Sequence, residues 1–496
     1  AGAALGWMES NGIGINNYTF INNTANLYGG AIYVGIGSDN CKVNNSTFEG
    51  NHITSDEYWT DDINGIMYYY TPWGDVVGIS MSEYGLINDR FDCGGAIYFV
   101  ASNGTIKDSN FTHNEAKNGG AIFVGNIGNT NIINSTFKYN KAEEHGGAID
   151  LFASAVNVTE STFIGNSATD GGALYVGGEG TTNFVSSSVF EDNQAIGGHG
   201  GAIDWLAYAG IIDNSNFTNN FAETGGGIYL NYRSGNSNIT NSIFKYNNAT
   251  YNGGAIDCNS ENMGLYNTTF ISNYAEFGAA LAREVDARNG HGTNNTFIAN
   301  HARVSGAALA WLGVESVKIY NYTFINNTAE NSGGAIYVGL GSNNCLIYNS
   351  TFEGNHLTNM SEWHFGGAID CIGDNLTVNI SSFTNNGAYD GGAIYVGVGS
   401  GGTLVMASNF TSNYAYRDGG AMALKGHLNM NDVRFSNNTA ERHGGALFLT
   451  GEYASDNTIN DTLFDGNIAK GHGGAIECNA SSLKISNTNF TYNQAD

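Results

Sequence analysis

Apolar and small or polar residues alternate along this chain in short bursts, and the bursts recur on a schedule. In GGAIYV, beginning at Gly29, apolar Ile32 and Val34 alternate with Ala31 and Tyr33, the period of two expected of a strand. A second short β-prone segment follows at Val43 to Phe48, and no helical period runs between the two. Both segments repeat. The anchor G-[GA]-[AG]-[ILM] begins seventeen times, from Gly2 and Gly29 through Gly253 and Gly391 to Gly473. A second anchor, F-x-x-N, also recurs seventeen times, from Phe20 and Asn23 to Phe490 and Asn493, and Ala usually stands two residues after the Asn. Five residues before each Phe is an aliphatic or Met, such as Ile15, Val43, Ile132, Val158, Ile319 and Met430, with Gly292 the lone exception.

A unit of about 25 to 29 residues with two or three short strands, Gly and Asn turns and no helix is the size of one coil of a parallel β-helix. The predicted fold class is therefore all-β, a single parallel β-helical solenoid of about seventeen coils continuous over residues 1–496. At roughly 4.8 Å per coil it is about 80 Å long. Each anchor then has a structural task. Phe builds an internal aromatic stack, Asn a ladder of amides bonding to the coils above and below, and the paired glycines supply unusual φ angles and room for close packing.

Spacing refines the unit. Anchors lie 25 residues apart after Gly94, Gly146, Gly200, Gly253, Gly366 and Gly419 and farther apart otherwise, so the repeat is a pair of coils. The residue four after the first Gly alternates with it: Asp150, Asp204, Asp257 and Asp370 against Phe123, Tyr175, Tyr229, Tyr337 and Tyr395. Facing away from Ile and Val, this position is expected to form an outer ladder of acids and aromatics, its like charges roughly 10 Å apart. A larger duplication is visible as well: NYTFINNTA at Asn17 and Asn321 is followed in both places by GGAIYVG and NSTFEGNH.

After each NSTFEGNH the rhythm breaks, with a long insertion at residues 53–92 and a short one at 357–365. The long one gathers Tyr58, Trp59, Tyr68, Tyr69, Tyr70, Trp73 and Tyr84 among acids. Insertions in a repeat rod land on one face, often the binding face, so these seven aromatics are the candidate binding residues, able to stack on sugar rings or dock a protein. Folding down over the flank of the rod is the equal alternative.

Composition narrows the function. With 18 basic and 45 acidic residues, a net charge of −27 argues against nucleic acid or an anionic membrane as partner, and no apolar stretch is long enough to span a membrane. The chain starts at Ala1 inside the repeat, which reads as a fragment of a longer protein. Seventeen GGAI copies without a following Lys-Ser or Lys-Thr exclude a phosphate loop, and no cofactor is expected. The even spacing of Asp150, Asp204, Asp257, Asp370 and Glu477 favours a ladder over catalytic carboxylates or calcium ligands, so no catalytic residue and no metal site is assigned. His145, His199, His443 and His472 beside the GG anchors read as stacked or capping turn residues. Cys41 and Cys93 bracket the long insertion and Cys345 and Cys371 the short one, suggesting two disulfides; Cys258 and Cys478 look like buried thiols. Sequons abound, and Asn17, Asn45, Asn134, Asn216, Asn321, Asn349, Asn409 and Asn489 are candidate glycosylation sites in an extracellular chain.

The joint recurrence of GGA[ILV] and FxxN resembles the polymorphic outer-membrane proteins of chlamydiae, and more closely the Asn-, Thr- and Gly-rich adhesin-like proteins of methanogenic archaea. The resemblance covers nearly the whole chain outside the long insertion. It implies a right-handed, pectate-lyase-like parallel β-helix at the cell surface, outside the cell, serving adhesion or a surface layer or filament. Its implied partners are a surface glycan or protein of another cell, or neighbouring copies of itself. The alternative on the same scaffold is a polysaccharide lyase or glycoside hydrolase.

Overall fold

The computed structural model describes residues 4–54, 60–61, 66–70, 76–80, 92–178, 183–362, 364–397, 401–451 and 456–496. The chain divides into two compact units, Ala1–Ile196 and Gly197–Asp496, and each is an all-β parallel solenoid of the right-handed type. Among the described residues the GGAIYV strand occurs six times in the first unit and eleven times in the second.

One coil shows how the sequence makes the fold. It has four short strands rather than the expected two or three: Ile32–Val34, Lys42–Asn44, Thr47–Glu49 and His52–Ile53. The segment Val43 to Phe48 is split in two because Asn45 takes φ 44°, in the left-handed region, and turns the chain there. A second corner follows at Gly50, φ 63°. Asn tolerates this conformation better than other side-chain-bearing residues, and Asn134, Asn241, Asn267, Asn321 and Asn349 fill the first corner in other coils.

The strands of a coil pair in parallel with their counterparts in the next coil. In the first unit Ile32 stands beside Ile97, Ile97 beside Ile122, and Ile122 beside Ile149. In the second, Ile203, Ile228, Ile256 and Leu281 follow one another in register. The interior therefore consists of columns of like residues. Phe20, Phe48, Phe111, Phe137, Phe163 and Phe190 stack with ring centroids 4.7–4.9 Å apart, and Phe217 through Phe490 stack at 4.5–5.1 Å in the second unit.

The FxxN asparagines form the expected ladder, and the structure shows how complete it is. Asn273 Nδ2 donates to Asn300 Oδ1 at 2.9 Å and to the Phe244 carbonyl at 3.1 Å, while its Oδ1 accepts from the amide N–H and Nδ2 of Asn247. The serine that stands two residues before the Phe in many coils builds a second ladder that the repeat pattern did not announce. Ser109 Oγ donates to the Lys107 carbonyl and accepts the Ser46 N–H, and Ser135 and Ser161 repeat the arrangement.

The glycine pair divides its work. At Gly29, φ 61°, a Cβ would lie 2.0 Å from the Ile32 carbonyl of its own turn. At Gly30 it would lie 2.0 Å from the Gly95 carbonyl of the next coil, so this second glycine sets how closely the coils approach.

Three expectations need correction. The alternating acids and aromatics are in register as expected, Asp370 between Tyr337 and Tyr395, but the acids are not exposed. Asp150, Asp204, Asp257 and Asp370 are 0–4% exposed, and Thr224 and Ser332, each preceding a GG pair, bond to Asp257 and Asp370 of the next coil. Aromatic side chains from the same turn position lie on the tyrosines of the alternate coils. His145 stacks on Tyr175 at 4.3 Å, His199 on Tyr229 at 4.5 Å and Phe365 on Tyr395 at 4.1 Å.

No disulfide joins Cys41 to Cys93 or Cys345 to Cys371. Cys41 enters a second strand with its thiol on the Ser38 carbonyl, whereas Cys93 is buried with Tyr98, Val100 and Phe123 in an aromatic cluster outside the lumen. Cys371 ends a first strand with its thiol on the Gly373 carbonyl, and Cys345 opens a second strand. Cys258 is buried as expected, but Cys478, in the last coil of the chain, is exposed.

Candidate functional site

The seven aromatics proposed for binding lie outside the described residues, apart from the backbone of Tyr68, Tyr69 and Tyr70. Those three belong to a strand, Ile66–Tyr70, paired antiparallel with Val76–Ser80 and with Thr60–Asp61. In the short insertion, Leu357 remains in the interior with the alanine column, 1% exposed. His364 ties the following loop together through Ser361 Oγ at 3.0 Å and Asn331 Oδ1 at 3.2 Å.

A polar groove opens on the surface of the first unit. Asn16, Asn44, Asn45, Lys107, Asp108, Asn110 and Asn134 line it. Second strands place three of these side by side, since Asn16 pairs with Asn44 and Asn44 with Lys107. The left-handed corners at Asn45, Asp108 and Asn134 project the rest outward. Asn45 Nδ2 donates to Asn17 Oδ1, Asn134 Nδ2 donates to Asp108 Oδ1 at 2.7 Å, and Lys107 Nζ lies 3.8 Å from Asp108 Oδ2 with both side chains about half exposed. Amides, one ammonium and one carboxylate at successive coil heights offer both donors and acceptors, the chemistry that hydroxyl-rich ligands match. The sequence reading missed this groove. Its trace is the spelling N-N-S at Asn44 and K-D-S at Lys107, where two polar residues precede the ladder serine.

All eight candidate glycosylation asparagines are exposed. Asn17, Asn45, Asn134, Asn321 and Asn349 sit at the first left-handed corner, and Asn216, Asn409 and Asn489 open third strands. Among the described residues no group of three or more His, Cys, Asp or Glu side chains is placed to hold a metal ion. His443 stacks on His472 at 5.2 Å.

The acids that could have suggested catalysis are used internally. Burial raises the Asp370 carboxyl to about 7 against a bond from Ser332, and raises Asp257 with the help of nearby Glu284. Asp390 and Asp418, nearly buried, are held by Arg417 and Arg442, and Arg417 also lies over the Tyr389 ring at 4.8 Å. Burial pushes the Cys345 thiol up to about 12 and Cys371 higher still, which makes both poor nucleophiles.

Comparison with known proteins gives a partial family match. The Chlamydia polymorphic membrane protein repeat is found at residues 17–35, 160–177, 321–339, 380–397, 432–450 and 461–479. No curated protein matches the chain. Among solved structures, three variants of the tailspike protein of E. coli bacteriophage HK620 in complex with a pentasaccharide are similar. They show TM-scores of 0.39, 0.36 and 0.32 at 10%, 9% and 10% identity, over 94% of this chain and 72% of theirs.

Proposed function

We propose that this chain is an extracellular, cell-surface adhesin-like repeat protein that mediates attachment or takes part in a surface layer or filament. The observation that carries the reading is the six-fold match to the Chlamydia polymorphic membrane protein repeat. The matched segments coincide with the machinery of one coil: residues 17–35 run from the left-handed corner at Asn17 through Phe20 and Asn23 to GGAIYVG. A chain that spends its Phe, Asn, Ser and Ala on stacking builds a scaffold, and its outward variation is left for recognition.

The reading is non-enzymatic. The four laddered aspartates are at most 4% exposed, where a polysaccharide cannot reach them. The partner is a glycan or protein of another cell surface, or a second copy of this chain. The aromatics of residues 53–92 and the groove at Asn44, Lys107 and Asn110 are the two candidate contact regions.

Attachment of the chain, immobilised on beads, to cells and to glycan-coated surfaces tests this. Deleting residues 53–92 is expected to reduce attachment, and N44A/K107A/N110A to reduce it further. Attachment by neither the parent chain nor the variants, together with release of sugar fragments from a polysaccharide, would replace this reading with the hydrolase or lyase.

A further inference from the structure

Gly292 is the one place where the aliphatic before the Phe is missing, and the interior of the second unit is irregular around it. The first strand of the preceding coil segment, Leu281–Arg283, ends in an arginine where other coils have Val, Leu, Cys, Phe or Trp. Arg283 stands in register between Cys258 and Trp311 and is 2% exposed, so a guanidinium lies inside the β-helix. Glycines accommodate it. A Cβ at Gly290 would fall 2.1 Å from Arg283 Nη1, and one at Gly292 would fall 2.3 Å from the Tyr322 hydroxyl and 3.2 Å from Asn295 Nδ2. Asn295 and Tyr322 themselves stand where the serine ladder has Ser, and both are buried.

Two buried donors gathered here lack acceptors, while the Tyr322 hydroxyl bonds to Asn295 and Asn295 Nδ2 donates to the Leu265 carbonyl. Arg283 Nη2 reaches the Met263 carbonyl at 3.4 Å and Met263 Sδ at 3.1 Å, but Nη1 has no hydrogen-bond partner in the protein. Trp311 Nε1, in the adjacent coil, has none either, whereas Trp205 at the same repeat position donates to the Ala207 carbonyl at 2.8 Å. Among the described residues no carboxylate pairs with Arg283. Asp257 and Glu284, next in sequence to Cys258 and Arg283, lie on the opposite side of their strands by the alternation of a strand. The Cys258 thiol is held up by burial and gives its own bond to the Ser260 carbonyl. A guanidinium does not shed its proton, and a buried one without a counter-charge is strongly destabilising.

We propose that the lumen of the second unit binds a small monovalent anion of the halide class, held by Arg283 Nη1 with Trp311 Nε1 and the Tyr322 hydroxyl as neighbouring donors. The anion neutralises the buried charge and lets the coil containing Gly292 keep the register of its neighbours.

Crystals of the chain soaked in sodium bromide are expected to show an anomalous peak within hydrogen-bond distance of Arg283. In solution, the unfolding midpoint is expected to rise and saturate with chloride or bromide, but not with gluconate at the same ionic strength. Arg283→Met, which keeps an apolar residue of similar length, is expected to lose both effects. No anomalous peak in the parent protein overturns the proposal, whether or not the variant folds. A peak in the crystal with a midpoint indifferent to the anion also overturns it, since the site would then be empty in solution.

Discussion

At the scale of single residues, the fold rests on positions where the backbone tolerates little. Ile380 occupies the first corner of its coil with φ 52°, where most coils have Asn, and it is 45% exposed. A β-branched side chain in the left-handed region costs about 1–2 kcal/mol. Ile380→Asn is therefore expected to stabilise the second unit by about 1 kcal/mol, read from chemical unfolding. The opposite holds at Gly334, where a Cβ would lie 2.2 Å from the Gly367 carbonyl of the next coil. Gly334→Ala forces two coils apart and is expected to cost about 3 kcal/mol. Both positions were legible as turn or packing sites from GGA and N-S alone. What could not be read was which glycine of each pair serves φ and which serves the neighbouring coil, because that neighbour is some 25 residues or more away.

At the scale of elements, each coil position becomes a column, and columns differ in what they tolerate. Asn273→Ala removes a side chain engaged on both sides and takes a partner from the Phe244 carbonyl and the Asn247 backbone N–H, both buried, while Asn300 Oδ1 keeps the Asn273 backbone N–H. At about 1–3 kcal/mol for each orphaned group, partly relieved by relaxation, a loss of about 3 kcal/mol or more is expected. The acid column behaves differently. Asp370 carries its proton to about pH 7 in the folded protein, well above the usual carboxylate value of 3.8, because burial disfavours the charged form. The folded state thus binds more protons than the unfolded one between these limits. Stability from this group is fully present below about pH 4 and falls as pH rises towards 7, by a few kcal/mol in all. Asp370→Asn is expected to flatten that slope and raise the unfolding midpoint at neutral pH. The alternation of acid and aromatic was plain in the sequence; the burial was not, since it depends on side chains such as Ser332, which arrives from the turn before the glycines and bonds to Asp370 of the next coil.

At the scale of the whole molecule, each unit gains its stability coil by coil, from contacts with immediate neighbours. Weakening one coil is then expected to loosen its neighbours first. In the Asn273→Ala protein, amide exchange should quicken in the coils around residues 247 and 300 before it does around residue 438, and uniform quickening across the second unit would contradict this local picture. The contact and anion sites proposed above lie at the inserted residues 53–92, the amide groove of the first unit and the arginine inside the second.

The sequence by itself determined the parallel β-solenoid, the columns of Phe, Asn and aliphatic residues, and the places where the schedule breaks, because a solenoid sets identical residues upon one another and its period is written directly in the chain. Only the tertiary structure decided that the acids are covered, that the cysteines remain thiols, that corner residues of successive coils open into a groove, and that Arg283 faces inward without a counter-charge. Each of these depends on which side chain reaches across from an adjacent coil, and a one-dimensional period carries position along the chain but not direction in space.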